Sequence, residues 1–204
     1  MTTFEQPNAE SIMDRAKNIL LTPDAEWEKI DGERPTIQSL YTGYVGILAA
    51  IPPLAGAIGG IVFGYGAMGY TLRPPLGNLI AAAVIEYLLA LVTVAVLALV
   101  IEQLAPTFDG TRDRVQAFKV AGYSMTAGWL AGIFSIIPAL SLIGSVFGLY
   151  SFYLLYRGLP KLMKTPQEKA LPYTALVVIA SILLLFVFNI LAAALLSVGA
   201  EAGM

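Results

Sequence analysis

The chain has 204 residues, of which 57% are apolar or aromatic and only 13% are charged, with a mean hydropathy of +0.75. Soluble domains carry about 25% charged residues, so this composition excludes a water-covered globule and predicts a membrane protein. The absence of Cys and His removes thiolate nucleophiles, disulfides, zinc–sulfur sites, Ser-His-Asp triads and HExxH metal sites. A net charge of −2 and a pI near 5.1 leave no electrostatic footprint for nucleic acid. No catalytic residue, metal or cofactor is implied.

Residues 1–36 are too few to bury a core of their own. No basic stretch precedes an apolar run there, so no cleavable signal peptide is expected. Ile12, Ala16, Ile19 and Leu20 recur at helical spacing. Thr22-Pro23 then reads as an N-cap with proline at the first helical position, and Gly32 closes a second short helix carrying Trp27 and Ile30. Two readings follow: amphipathic helices lying on the membrane or against a bundle, or a docking site for a protein partner. Six acids between Asp14 and Glu33 argue against strong attraction to anionic lipid.

Charge gaps delimit the rest. The stretch between Arg34 and Arg73 has 38 uncharged residues, that between Lys119 and Arg157 has 37, and that between Lys169 and Glu201 has 31. A crossing helix needs about 20 apolar residues. The 37-residue gap holds two crossings, with Pro138 at the turn between them. The predicted spans are Leu40–Tyr65, Leu76–Ile101, Ala117–Ile137, Leu140–Tyr156 and Tyr173–Ala200. The fold class is therefore an all-α polytopic bundle of five transmembrane helices (37–200), preceded by short amphipathic cytoplasmic helices (1–36) and followed by an outer tail (201–204). This arrangement puts eleven of the twelve Lys and Arg residues on one side and Arg73 alone on the other. The positive-inside rule then sets the N-terminus in the cytoplasm and the C-terminus outside. Tyr41, Tyr44, Tyr153, Tyr156 and Tyr173 fall at the inner boundary, as an interfacial belt requires.

Within the spans, Gly56, Gly60 and Gly64 form overlapping GxxxG units, and Gly128/Gly132 and Gly144/Gly148 repeat the spacing. Such glycines let backbones approach closely in lipid, within one chain or between two copies in a homo-oligomer. Pro52-Pro53 should kink or break the first span. Glu86 is the one ionisable residue deep in a span, where a charge costs on the order of 3 kcal/mol, so it is expected to be protonated or paired. Glu86 and Asn189 each lie about ten residues from the outer end of their spans, roughly 15 Å deep. Thr126 and Ser151 come out at similar depth, which predicts a midplane polar cluster of Glu86, Asn189, Thr126 and Ser151. The cluster serves interhelical hydrogen bonding or the passage of an ion or proton. Arg157, Lys161, Lys164 and Lys169 form a basic loop suited to lipid headgroups, and Thr165-Pro166-Gln167-Glu168 reads as a capping box into the fifth span.

The segment Pro23-Asp24-Ala25-Glu26-Trp27-Glu28-Lys29-Ile30 resembles the Pro-x-x-x-Trp-x-x-Ile lead-in of bacterial members of the Yip family, the Ypt/Rab-interacting membrane proteins. Gly122-Tyr123 is similar to that family's Gly-Tyr signature, and Tyr150–Lys169 to its tyrosine-rich exit and basic loop. Pro23, Trp27, Ile30, Gly122 and Tyr123 carry the likeness. It implies a multipass protein of the bacterial inner membrane without an assigned reaction. Ala127 stands where eukaryotic members continue to a proline, and their Asp-Leu-x-Gly-Pro motif has no match, so Rab binding is not implied.

Overall fold

The computed structural model describes the backbone of residues 9–67 and 70–202. All but one small hairpin of the regular structure is helical. Helix α1 (Ala9–Leu21) turns its Ile12, Ala16 and Ile19 into the core. Helix α2 (Pro23–Gly32) buries Glu26, Trp27 and Ile30. It starts at Pro23 as expected, but the Thr22 hydroxyl donates back to the Asn18 carbonyl and does not cap it. A capping box between Thr36 and Ser39 then opens α3 (Ile37–Leu40).

The first long apolar helix runs from Ile37 to Val62 in pieces. A π turn (Tyr41–Val45) and α4 (Gly46–Leu48) lead to two non-helical residues, Ala49 and Ala50, before α5 (Ile51–Val62). Pro52 and Pro53 occupy the first turn of α5. Neither can donate to the carbonyl four residues back, which frees those of Leu48 and Ala49 from their usual partners. Gly64 follows with φ +71°, the left-handed region glycine tolerates. There the chain turns into β1 (Tyr65–Ala67) and β2 (Tyr70–Leu72), paired antiparallel with Tyr65 opposite Leu72.

Helix α6 (Leu76–Leu104) is unbroken and continues into a 3-10 turn at Ala105–Phe108. Asp113 caps α7 (Arg114–Ser124) by accepting from the Gln116 amide. Met125 separates α7 from α8 (Thr126–Ala131), which tightens into 3-10 turns at Gly132–Ile136 and Pro138–Leu140. Helices α9 (Ser141–Gly148) and α10 (Tyr150–Leu162) run on to α11 (Gln167–Ala202). The capping box expected at Thr165 is absent, its hydroxyl being buried without a hydrogen-bond partner.

Among the described residues, four helical runs are long and apolar enough to cross a membrane: Ile37–Val62, Leu76–Phe108, Ser141–Leu162 and Gln167–Leu184. The predicted third span coincides with α7, α8 and the 3-10 turn, and is too interrupted to form one such helix. One core joins these elements, with Val94, Ile101, Val120, Leu154, Leu159 and Tyr173 at its centre. Large apolar side chains such as Val84, Leu88, Val146, Ile179 and Phe186 stay exposed on the outside, as a lipid-facing surface requires.

Glycine supplies the closest approaches. A Cβ on Gly59 would come within 2.5 Å of the Ser135 carbonyl oxygen, and one on Gly132 within 2.6 Å of Pro52. Of the predicted packing glycines, Gly60 faces Leu79 and Tyr65, Gly144 faces Ala131 and Phe134, and Gly128 lies against Gly148 and Ser151. Gly56 touches Ser135 only at 4.0 Å, and Gly64 belongs to the turn. These contacts are within one chain.

Candidate functional site

Two places hold the chain's polar chemistry. The first lies where α2 packs beside α10. Asp24, Glu28 and Asp31 are spaced i, i+4, i+7 and share one face of α2. Arg157, Lys161 and Lys164 have the same spacing in and just after α10. Each acid meets its counterpart: Asp24 with Arg157 (2.6 Å), Glu28 with Lys161, and Asp31 with Lys164 (2.6 Å). Three rungs with the same 133-residue separation mean that the two helices run parallel and in register.

Between the rungs, Trp27 is completely buried against Gly158, where any side chain would strike the indole. Arg15 of α1 reaches Glu26 (2.6 Å) and Glu33, and lies 5.6 Å from the centre of the Tyr123 ring. Burial disfavours the Arg15 charge, but its contacts with Glu33 and Glu26 outweigh that and hold its pKa above the ordinary value. Lys119 is buried and donates to the Glu33 carbonyl at 3.0 Å. Tyr150 donates to the Leu20 carbonyl at 2.9 Å, and Gln116 donates to Asp31 at 3.1 Å. The predicted lipid-headgroup cations Arg157, Lys161 and Lys164 thus face carboxylates of the same chain, and Lys169 pairs with Asp109. On the neighbouring loop, Arg112 and Arg114 grip the buried Glu102 at 3.4 and 2.9 Å.

Exposed pairs are worth roughly 0.2–1 kcal/mol each, so three rungs sum to about 1–3 kcal/mol. The buried indole removes some 200 Å² or more from water, worth about 5 kcal/mol at 25 cal/mol/Å². Trp27 therefore anchors the clasp, and the charges set its register.

The second place is within the spans. Thr126 is fully buried. Its hydroxyl lies 2.8 Å from that of Tyr44 and donates to the Tyr123 carbonyl at 2.7 Å. Ser151 accepts from the Gly128 amide at 3.0 Å. That amide belongs to the first turn of α8, where helical donors lack partners, so Ser151 serves the break at Met125. Tyr44, Tyr123 and Trp27 stack edge-on, with centroids 4.7 and 6.4 Å apart, and link this region to the clasp. Tyr44 and Tyr173 point into the bundle and not into an interfacial belt; Tyr173 donates to the Ile101 carbonyl.

Glu86 stands elsewhere, on α6, with no hydrogen bond to Thr126 or Ser151. Its neighbours one heptad away on the same face, Leu79 and Thr93, are 5% and 4% exposed, yet Glu86 itself is exposed. The adjacent Tyr87 hydroxyl lies against Gly46, so Glu86 falls near the level of the Ala49–Ala50 break along the first helix. On α11, the Tyr173–Ile101 bond fixes an antiparallel register. Fifteen residues along each helix, the backbone of Asn189 falls within about one residue of Glu86's level. The Asn189 side chain lies outside the described residues, as do residues 203 and 204 of the predicted tail.

Sequence reasoning passed over Asp24, Glu28, Asp31, Glu102, Gly59 and Gly158. The matching i, i+4, i+7 charge patterns of 24–31 and 157–164 were the available signal. Glu102 and Gly59 had none, because their partners are set by tertiary packing.

The Yip1 domain family model matches residues 17–189, and the chain belongs to that family. Among characterised proteins it is similar to inner membrane protein YohC of Escherichia coli K12. The two are 30% identical over 167 residues, which is 80% of this chain and 86% of the relative. The same protein from Escherichia coli O6:H1 strain CFT073 matches to the same extent. No solved structure matches.

Proposed function

We propose that this protein is a non-catalytic, five-span resident of the bacterial inner membrane that acts by helix packing and by contact with protein or lipid partners. The clasp carries this reading. Its ion pairs and hydrogen bonds tie α1 and α2 to α7 and α10 and build a platform at the N-terminal side of the spans. The outer side of that platform, with exposed Met13, Asp14, Lys17 and Leu21, is the surface offered to a partner. YohC's description as an inner membrane protein supports the location, and the Lys/Arg asymmetry supports a cytoplasmic N-terminus and an outer C-terminus. The fifth crossing is assigned to the broken run α7–α8 with its 3-10 turn, whose polar breaks are met by Thr126, Tyr44 and Ser151. Glycines engaged within the chain favour intramolecular packing over a homo-oligomer through the first span.

A second reading, a small ion or proton transporter, draws on one observation: Glu86 stands exposed at membrane depth beside a proline-broken helix and level with Asn189. Proteoliposomes separate the two. Imposed proton and potassium gradients are expected to persist as in empty vesicles. Dissipation by the wild type that disappears in Glu86→Gln would replace the first reading with the second.

A further inference from the structure

The surroundings of Glu86 support more than a packing role. Leu79 and Thr93, seven residues to either side on the same face, are buried at 5% and 4%, whereas Glu86 is exposed. The carboxyl is therefore left uncovered at membrane depth, between two covered levels of the same face. Its flanks on that face, Ala82, Ala83, Leu89 and Ala90, are apolar and half-buried. Among the described residues nothing donates a hydrogen bond or an ion pair to it. Along α6 the nearest cation is Arg73, beyond the outer end of the helix, and the other cations sit at the cytoplasmic side. The first span breaks near its level, where Pro52 and Pro53 leave the Leu48 and Ala49 carbonyls without their usual donors. Those two carbonyls are acceptors, and the Tyr87 hydroxyl lies against Gly46 of the same helix.

An unpaired acid facing hydrocarbon, with acceptors nearby and no internal cation, is complementary to a cation that can itself dissolve in lipid. We propose that Glu86 is the anchoring residue of a lateral site for lipophilic organic cations: the carboxylate pairs with the positive centre, and the half-buried alanines and Leu89 receive the apolar body. A small hydrated metal ion would lack a path through hydrocarbon, and an anion would be repelled by the carboxylate. The site is independent of the clasp and requires no transport, so it stands or falls separately from the function proposed above.

Tetraphenylphosphonium is the probe, with protein in lipid nanodiscs and binding measured by equilibrium dialysis. Saturable binding of one cation per protomer is expected, with affinity about tenfold or more weaker in Glu86→Gln and kept within about threefold in Glu86→Asp. Tetraphenylborate, of the same shape and opposite charge, is expected to partition without saturation. Unchanged unfolding transitions of both variants verify their fold. Equal binding by wild type and Glu86→Gln, equal saturable binding of the borate, or no saturable binding at all (the outcome if a second copy covers Glu86) would each overturn the proposal.

Discussion

Adding one methyl group at Gly158 probes the clasp without touching a charge. An ideal Cβ there lies 2.7, 2.8 and 3.0 Å from Cζ2, Cε2 and Cη2 of Trp27. Comfortable carbon–carbon contacts begin near 3.5 Å, so the indole must retreat by about 0.5–1 Å. Trp27 and Ile30 are both fully buried, which leaves no slack for a rotamer change alone. Overpacking of this kind costs about 1–3 kcal/mol. The ion-pair rungs and the buried indole oppose that loss, offset in part by the indole N–H, which is buried without a hydrogen-bond partner, so Gly158→Ala should raise the open population. Each 1.4 kcal/mol is a factor of ten, which makes the open fraction about 5- to 150-fold larger. Limited trypsin digestion reads that fraction when opening is fast relative to cleavage. Cutting at Lys17 and Lys29 should accelerate by that factor, with cutting at Arg112 and Arg114 as an internal reference. In a Trp27→Phe background, which removes the struck ring atoms, the same substitution should cost much less, a coupling that a double-mutant cycle isolates. Equal digestion rates for Gly158→Ala and wild type, or acceleration that is uniform along the chain, would refute the reasoning.

Thr126→Val keeps the shape of the side chain and strands the Tyr44 hydroxyl in the core, at an expected cost of about 1–3 kcal/mol. A lowered unfolding temperature in detergent, recovered in Thr126→Ser and in the Tyr44→Phe/Thr126→Val pair, is the measurement. The five-span assignment predicts that alkaline phosphatase fused after Met204 is active and that green fluorescent protein at the same place is dark. The reverse pattern would overturn either the odd number of crossings or the cytoplasmic N-terminus.

Helix positions were legible because desolvation of charge is the dominant cost in lipid. The gap that opens after Arg73 and the cations beyond Glu102 place α6 within three residues of its predicted inner end, and its outer start at Leu76 is as predicted. The last apolar helix, α11, begins six residues before the predicted span start at Tyr173 and runs through Pro172. The break at Met125 was illegible. No glycine or proline marks it, and it depends on the Thr126 hydroxyl taking the Tyr123 carbonyl while Tyr44, 82 residues away, completes the contact. The basic loop was read as facing lipid because its cations were visible locally, whereas the carboxylates that meet three of them lie 133 residues upstream. For Glu86, periodicity gives its face of α6, but the separation of the surrounding helices decides whether that face is covered.

The distance along the chain between the rungs has a consequence for biogenesis. With Asp24, Glu28 and Asp31 each waiting for a residue 133 positions later, a ribosome working at 5–20 residues per second needs on the order of ten seconds to deliver the partners. The first helices to leave the tunnel are thus among the last to find their place. Closure of α2 onto α10 requires that the intervening apolar segments have been placed in the right order, and a nascent chain that misthreads one of them is left displaying an unburied tryptophan.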